Sequence, residues 1–375
     1  MPDNINECSA QLLLADGVLF TGKALGKIGT TTGEICFTTG MTGYQEVFTD
    51  PSFYGQVLIM NNCYIGNYGT MDADTESDGV KINGLICKNI SLKYSRKKAE
   101  ASLQTYLEEN GIVGIYDVDT RALVTHIRNK GAMNCIISSE NLSQEELQAK
   151  LDATPSMDGL ELSSQVSTKK IYTQGNPDAD IKIAVLDLGI KRNILNCLAE
   201  RGAYLKIYPA KTSFEEMSAF EPDAYFVSNG PGDPAVMKYG IETVSKIQES
   251  GKPMFGICLG HQLLALANGV KTFKMHHGHR GLNHPVLNII TNLSEITTQN
   301  HGFGIDAESL KQNPQVEATH INLNDNSIEG IRIKGKKIFS VQYHPESTPG
   351  THDSRYLFDD FFKMIKEDQT NKVTA

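Results

Sequence analysis

The hydrophobic positions divide the chain into two halves with different periodicity. From about residue 5 to 150, short apolar runs such as LLLADGVLF, GEICFTTG and GQVLIMNN are separated by Gly and Thr, and this pattern predicts strands. Helical signals are few there: polar stretches at 99–109 and 120–129, and SQEELQAKLD, in which Ser143 and Glu146 have the spacing of a capping box. The first half is therefore predicted to be a β-dominated α+β domain.

The second half alternates strands and helices. IKIAVLDLG predicts a buried strand, KRNILNCLAERG an amphipathic helix, and PMFGICLGHQLLALANG a strand, a tight turn and a helix, with a further helix at 235–250. This alternation predicts an α/β fold with an open, doubly wound parallel sheet, whose ligand site should lie at the carboxyl ends of the strands. Between the halves, residues 163–180 have the composition of a linker, so we place the boundary near residue 175.

Composition then excludes several classes of protein. The chain has 375 residues, enough for two domains, and its 35 Lys and Arg against 44 Asp and Glu give a net charge of −9. An acidic surface repels phosphate backbones and anionic membranes, so neither nucleic acid nor membrane is expected as a partner. The seven cysteines are odd in number and form no C-x-x-C pair, and no basic leader or long apolar segment is visible, which favours the cytoplasm.

The strongest chemical signal is GICLGHQ, residues 256–262. Glycines on both sides of Cys258, after an apolar strand and before a helix, are typical of a nucleophile elbow, in which cysteine here replaces serine. At a helix amino end the thiolate is favoured by the helix dipole. A buried structural cysteine is the commoner case for a lone Cys in an apolar run, but the two glycines favour a nucleophile.

Two further segments supply the groups that such a nucleophile needs. His344 follows an apolar strand in the segment VQYHPE, and Glu346 is placed to orient its imidazole, which gives a Cys-His-Glu order along the chain. The loop SNGPGDP, residues 228–234, combines two glycines and two prolines at another strand end and can present N–H groups to an oxyanion. Taken alone, each segment also fits an ordinary turn.

Together, SNGPGDP, GICLGHQ and HPE resemble the class I glutamine amidotransferase domain, over residues 180–368. The resemblance implies that Cys258 is the nucleophile, His344 the general acid and base, and Glu346 its orienting residue. The N–H groups of Leu259 and of the Gly230 loop would form the oxyanion hole.

The first half determines which amidotransferase the chain resembles. TGMTGYQEVFTDPS at 39–52, NNCYIGNYGTMDAD at 61–74 and DVDTR at 117–121 resemble the amino-terminal domain of the carbamoyl-phosphate synthase small chain, here residues 1–175. NHPV at 283–286 and TQNHGF at 298–303 are similar to that family's amidotransferase domain. The resemblance implies a set of contacts to the substrate glutamine: Ser52, Gly230, Gly232, Leu259, Gln262, Asn300, Gly302 and Phe303.

The resemblance also implies a function and a partner. The chain would hydrolyse L-glutamine and pass ammonia to a large subunit, which would use ATP and Mg²⁺ to make carbamoyl phosphate for arginine and pyrimidine synthesis. No ATP site is expected in this chain, because GVLFTGKA at 17–24 lacks the hydroxyl that follows the lysine of a P-loop. Three alternatives stay open: the amidotransferase of another synthase, such as anthranilate or GMP synthesis, a stand-alone cysteine hydrolase, and a scaffold with a vestigial triad.

Four of the ten histidines lie in KMHHGHRGLNH, residues 274–284. Zinc sites usually combine spaced ligands with acidic groups that support them, and the segment shows no such pattern. We therefore expect no metal at this position, and the resemblance implies a structural loop between strands.

Overall fold

The structure is a computed structural model, and it describes residues 8–373. Residues 1–7, on which the expected absence of a leader partly depends, lie outside the described part. The chain divides into two compact units, Met1–Leu160 with His276–Arg280, and Glu161–Met275 with Gly281–Ala375. Each is described by itself.

The first unit is built on a closed barrel. Its strands are β1 (Ser9–Leu14), β2 (Leu19–Gly26), β3 (Thr30–Thr38), β4 (Gln56–Met60), β5 (Gly84–Cys87), β6 (Val113–Tyr116) and β7 (Asn134–Ser138). Its helices are α1 (Tyr44–Phe48), α2 (Leu103–Glu109), α3 (Thr120–Lys130) and α4 (Gln144–Asp152), with 3-10 turns at Pro51–Phe53 and Asp72–Asp74. The barrel order is β1-β2-β6-β5-β4-β3-β7.

Apolar residues on both faces of the strands explain the barrel. β4 is buried along its whole length: Val57 and Ile59 pack in one apolar cluster, and Leu58 and Met60 pack in a second. A strand that is buried on both faces has apolar residues at successive positions of its sequence. The short apolar runs in the first half of the chain show this pattern. The β-rich prediction is confirmed, and so is the capping box, in which the Ser143 N–H donates to Glu146 Oε2 at 2.8 Å.

The second unit contains a ten-stranded sheet. Its strands are β8 (Tyr172–Gln174), β9 (Ile181–Leu186), β10 (Ala203–Tyr208), β11 (Ala224–Val227), β12 (Met254–Ile257), β13 (Thr272–Asn288), β14 (Leu293–Ile305), β15 (Val316–Asn322), β16 (Ile328–Ile333) and β17 (Ile338–Val341). Its helices are α5 (Ser163–Val166), α6 (Arg192–Ala199), α7 (Phe214–Ser218), α8 (Lys238–Glu249), α9 (Leu259–Ala267), α10 (Ala307–Lys311) and α11 (Tyr356–Val373), with a 3-10 turn at Pro234–Val236.

The sheet order is β14-β13-β15-β16-β17-β12-β11-β9-β10-β8. The central strands β10, β9, β11, β12 and β17 are parallel, which confirms the predicted α/β class. The strands outside them pair antiparallel, including β8 with β10 and β16 with β17. Apolar clusters cover both faces of the parallel part. Because the strands are parallel, the carboxyl ends of β9, β11, β12 and β17 lie at the same edge of the sheet.

Two segments differ in form from what the sequence suggests. Residues 163–180, expected to form a linker, contain α5 and the edge strand β8, and Ser163 Oγ donates to Pro231 O at 2.9 Å, so this segment belongs to the second unit. The expected loop at 274–284 is wrong, because this histidine-rich segment lies within strand β13, which pairs with β14 and β15.

In the described part of the chain, no helix is both long and apolar enough to cross a membrane.

The aromatic cluster around Phe255 tests the core of the second unit. The Phe255 ring stacks on Phe339 at 4.4 Å between centroids and meets Phe226 edge-on at 5.4 Å. Phe255→Ala should reduce the free energy of unfolding by about 3–5 kcal/mol, because it removes buried area and leaves a cavity. Urea unfolding followed by circular dichroism measures this loss. Leu293→Ala, at a 65% exposed position, is the control, and equal midpoints for both variants would contradict the prediction.

Candidate active site

Cys258 lies on a sharp turn between β12 and α9. It has φ 53° and ψ −101°, a backbone conformation that residues with a Cβ rarely adopt. Two glycines make the turn sterically possible. A Cβ on Gly256 would lie 3.0 Å from the carbonyl of Gly260, and a Cβ on Gly260 would lie 2.2 Å from Val227 O. This is the strand-turn-helix geometry of a nucleophile elbow.

The Cys258 side chain is buried but surrounded by polar groups. Its Sγ lies 3.7 Å from Asn300 O, and Gln342 Nε2 donates to the sulfur at 3.5 Å. The next N–H along the chain, that of Leu259, is the first of α9 and has no acceptor within the helix. Cys258 is therefore the N-cap residue of α9, at the positive end of the helix dipole.

His344 and Glu346 lie just beyond the end of β17, the neighbour of β12. His344 Nδ1 is 2.8 Å from Glu346 Oε1, and both side chains are fully buried. His344 Nε2 is buried and has no partner of good hydrogen-bond geometry among the described residues, while interactions with the Cys258 side chain help to raise the pKa of His344. One ring nitrogen is thus fixed by a carboxylate, and the other is left for the cysteine or a ligand.

A buried lysine completes this charged group. Lys191 follows β9, and its Nζ donates to Glu346 Oε1 at 2.9 Å and to Thr348 O at 2.9 Å. Asn193 Nδ2 donates to Glu346 O at 2.9 Å and holds the backbone of the same residue. Lys191 and His344 therefore bind the same carboxylate oxygen, Glu346 Oε1.

The electrostatic effects follow from these contacts. Burial alone would raise the pKa of Glu346, but the charges of Lys191 and His344, with their hydrogen bonds, lower it to about 2. Burial alone would lower the pKa of His344, but the Glu346 carboxylate and the interactions with Cys258 raise it to about 10. Both effects act in the same sense, because each group favours the charged form of the other.

The SNGPGDP loop lies against the elbow. A Cβ on Gly230 would lie 2.1 Å from Leu188 O and 2.9 Å from Leu259 Cδ2, so only glycine allows this close approach to the first residue of α9. Gly232 has φ 96° and forms a β-bridge with Glu161. The loop thus packs against the side chain of Leu259, the residue that opens α9.

Two other residues predicted to contact glutamine, Gln262 and Asn300, are linked to the same sulfur. Gln262 is on the first turns of α9 and donates to Phe303 O at 2.8 Å, and Asn300 O contacts Cys258 Sγ. Asn300, Gly302 and Phe303 all belong to β14. Ser52 lies in the first unit, in the 3-10 turn after Asp50, whose carboxylate accepts its N–H at 2.9 Å. The roles of all these residues stay predictions.

Sequence reasoning assigned no role to Lys191 or Gln342. A lysine directly after an apolar strand of a parallel sheet is a usable signal for Lys191, because such strand ends converge on the site. Gln342 is within the VQYHPE segment, but its contacts to Cys258 and Gln262 require knowledge of the fold.

The pH dependence of stability tests the buried Lys191–Glu346 pair. A carboxyl group whose pKa is lowered by folding contributes stability that is present above its unfolded pKa, about 4.3, and is lost as the pH falls towards its folded value. Lys191→Met should therefore be less stable than wild type above pH 5, and the difference should narrow below about pH 4.3 by up to about 1.4 kcal/mol per pH unit. Urea unfolding between pH 3.5 and about 7 measures it. A difference in free energy of unfolding between Lys191→Met and wild type that stays constant down to about pH 3.5 would contradict the pairing of Lys191 with the Glu346 carboxylate. Lys366→Met, at an exposed position on α11, is the control.

Comparison with known proteins identifies the family to which both parts of the chain are similar. The family model described as class-I glutamine amidotransferase matches residues 184–364, and that of the carbamoyl-phosphate synthase small chain, CPSase domain, matches residues 12–137. The carbamoyl phosphate synthase small chain of a Synechococcus species is 47% identical over 377 residues, covering 97% of this chain and 95% of the relative.

Relatives from other bacteria are similar to the same extent. The small chain of Chlorobaculum tepidum is 45% identical over 364 residues, covering 96% of this chain and 99% of its own, and that of Aquifex aeolicus is 46% identical over 370 residues with the same shares. A solved structure from Thermoplasma acidophilum, described as one subunit of a putative GMP synthase, aligns with a TM-score of 0.45 and 23% identity, over 51% of this chain and 97% of its own, a likeness too low to carry an assignment. On the family models and these relatives, the chain belongs to the carbamoyl phosphate synthase small-chain family and carries a class-I glutamine amidotransferase domain.

Proposed function

We propose that Cys258, His344 and Glu346 form a catalytic triad that hydrolyses the side-chain amide of L-glutamine to glutamate and ammonia. The observation that carries this proposal is the geometry at the sheet edge. A cysteine on a strained elbow lies beside a buried imidazole whose Nδ1 is held by a carboxylate at 2.8 Å and whose Nε2 is unused. Nucleophile, base and orienting group are thus arranged as acyl transfer requires.

The first half of the reaction forms a thioester. The Cys258 thiolate attacks the carboxamide carbon of glutamine, and the developing oxyanion is stabilised by the N–H of Leu259 and the Gly230 loop. His344, protonated in the resting site, gives its proton to the leaving nitrogen, so that ammonia departs and a γ-glutamyl thioester remains.

The second half releases glutamate. His344, now neutral, takes a proton from water, and the resulting hydroxide attacks the thioester carbon. The carbon–sulfur bond breaks, the thiolate re-forms, and the imidazole is again protonated. Glu346 stays ionised throughout and keeps the Nδ1–H of His344 in place.

Glutamine recognition is proposed for the groups around the sulfur. Backbone and amide groups can bind the carboxamide and the zwitterionic head without competing for the reacting carbon. The proposed contacts are Gly230, Gly232, Leu259, Gln262, Asn300, Gly302 and Phe303, with Ser52 from the first unit.

A large subunit is the proposed partner, because a small chain of a synthase supplies one of two half-reactions. Ammonia would pass to that subunit, where ATP and Mg²⁺ would activate bicarbonate to give carbamoyl phosphate for arginine and pyrimidine synthesis. The reaction proposed for this chain uses no metal or cofactor of its own. All seven cysteines are free, as in a reducing compartment, and we place the complex in the cytoplasm.

Glutamine hydrolysis by the complex with a large subunit tests the triad. Cys258→Ser should lower glutamate release by about 10³-fold or more, because serine is a far weaker nucleophile at a site built for a thiolate. The variant complex should still make carbamoyl phosphate from added ammonium chloride, since the synthase half is untouched. Coupled assays of glutamate and of carbamoyl phosphate measure the two outcomes.

Cys63→Ser is the matched control, because Cys63 is exposed and lies in the first unit. It should hydrolyse glutamine like the wild type. Undiminished glutamate release by Cys258→Ser would reject the triad. Full activity of the isolated chain that a large subunit does not change would favour a stand-alone hydrolase, and absence of glutaminase in every combination would favour a scaffold. Stimulation by a different synthase would reassign the partner.

A further inference from the structure

We infer that Gln342 is a positioning residue for the nucleophile: its side-chain amide is fixed in one direction and donates a hydrogen bond to the Cys258 sulfur. The inference rests on the proposed function, because it describes how the thiolate of that reaction is held. It concerns a residue outside the triad and outside the proposed set of glutamine contacts.

The amide of Gln342 is held rigidly between two partners. The residue follows β17, is fully buried, and its backbone N–H donates to Glu329 O at 2.8 Å. In the side chain, Oε1 accepts from Gln262 Nε2 at 3.0 Å and Nε2 donates to Cys258 Sγ at 3.5 Å. A single amide therefore bridges the nucleophile and a residue of the proposed glutamine site.

The direction of the amide follows from the far end of this chain of hydrogen bonds. Phe303 O is a carbonyl and can only accept, so Gln262 must point its NH₂ group towards it, at 2.8 Å. The same NH₂ group of Gln262 also donates to the side chain of Gln342. The atom of Gln342 that faces Gln262 must therefore be the acceptor, Oε1. Reversing Gln342 would set two NH₂ groups against each other, and reversing both glutamines would set two acceptors against each other at Phe303. Only one arrangement satisfies every contact, and it directs Nε2–H at the sulfur.

This direction has a consequence for the protonation state of Cys258. A fixed donor favours the state in which the sulfur is an acceptor, and hydrogen bonds to a charged group are stronger than those between neutral groups. A neutral thiol can instead donate to Asn300 O, 3.7 Å away. Gln342 therefore favours the thiolate and fixes the position of the sulfur at the same time.

The charged groups that face Cys258 act in combination with this donor. His344 and, behind it, Glu346 and Lys191 lie on the segments after β17 and β9. From β14 the sulfur meets a neutral backbone carbonyl, that of Asn300. Gln342 is thus a neutral donor to the sulfur, in addition to the His344 cation and the amino end of α9.

Gln342→Glu, made in the complex with a large subunit, is the decisive variant. It keeps one oxygen as acceptor for Gln262 but places an oxygen where the sulfur now receives an N–H. We expect kcat for glutamine hydrolysis to fall about tenfold or more, with KM changed by less than about twofold. Alkylation of Cys258 by iodoacetamide, followed by mass spectrometry, should slow at neutral pH, because the sulfur loses its fixed donor.

Gln342→Met provides an independent second variant, because it removes the donor without adding a charge. It should also slow alkylation, and it should raise KM in addition, since Gln262 loses its acceptor. Gln248→Glu is the matched control: Gln248 is equally a buried glutamine whose Oε1 accepts from an amide, that of Asn268 at 3.0 Å, but it lies on α8. It should match the wild type in kcat, KM and alkylation.

The outcomes separate this inference from the proposed function. If Gln342→Glu and Gln342→Met both keep the alkylation profile and kcat of the wild type while Cys258→Ser is inactive, the triad stands and the role of Gln342 is overturned. A rise in KM alone, with unchanged alkylation, also overturns it, because Gln342 would then act only on substrate binding. If Cys258→Ser retains activity, the proposed function itself fails.

Discussion

The backbone of Cys258 is the constraint on which the rest of the site depends. A residue with a Cβ at φ 53° and ψ −101° is strained by about 1–3 kcal/mol, and such a conformation persists only where its surroundings fix it. Here the Cys258 N–H donates to Val341 O at 2.8 Å, which ties the elbow to β17, and the Gly260 N–H donates to Ser228 O at 3.0 Å, which ties it to the end of β11. The two strands that flank β12 therefore hold the strained turn, and the same two strands lead into the segments that carry His344 and the Gly230 loop. The parallel sheet fixes Cys258, the proposed nucleophile, and brings its proposed partners to it through one set of backbone contacts.

The buried charges depend on that placement. With Lys191 and His344 protonated and Glu346 ionised, the three side chains sum to one positive charge in a region closed to solvent. Buried charges are stable when they are paired, and removal of one partner leaves the other uncompensated. A thiolate at Cys258 brings the sum to zero. The arrangement thus explains why a lysine, which takes no part in the proposed chemistry, lies within the group: it neutralises Glu346, so that the imidazolium is left to pair with the sulfur.

Much of this could be predicted from the sequence, and the exceptions have physical causes. Strand and helix alternation predicts the parallel sheet because each element buries an apolar face of recognisable period, and the glycines beside Cys258 predict the elbow because only they permit it. Barrel closure in the first unit was not predictable, since it depends on pairings between distant strands such as β1 with β7. Polar residues hide the strand period of the histidine-rich segment at 274–284, so the sequence predicts a loop where the structure has part of the long strand β13. The local signal is weak for Lys191 and absent for Gln342, because their significance lies in partners 155 and 84 residues away along the chain.

A neutral amide beside the sulfur is what this charge balance requires. A second cation at the position of Gln342 would stabilise the thiolate more strongly, but it would leave the buried group with an unpaired positive charge. An apolar side chain there would leave the thiolate with His344 as its main stabilising contact, and the sulfur free to move. An amide supplies a directed donor without changing the net charge, and its other end accepts from Gln262, so its direction is set by a carbonyl on β14 instead of by the sulfur itself. The donor is therefore oriented independently of the sulfur, which is the sense in which the proposed site is preorganised for nucleophilic attack.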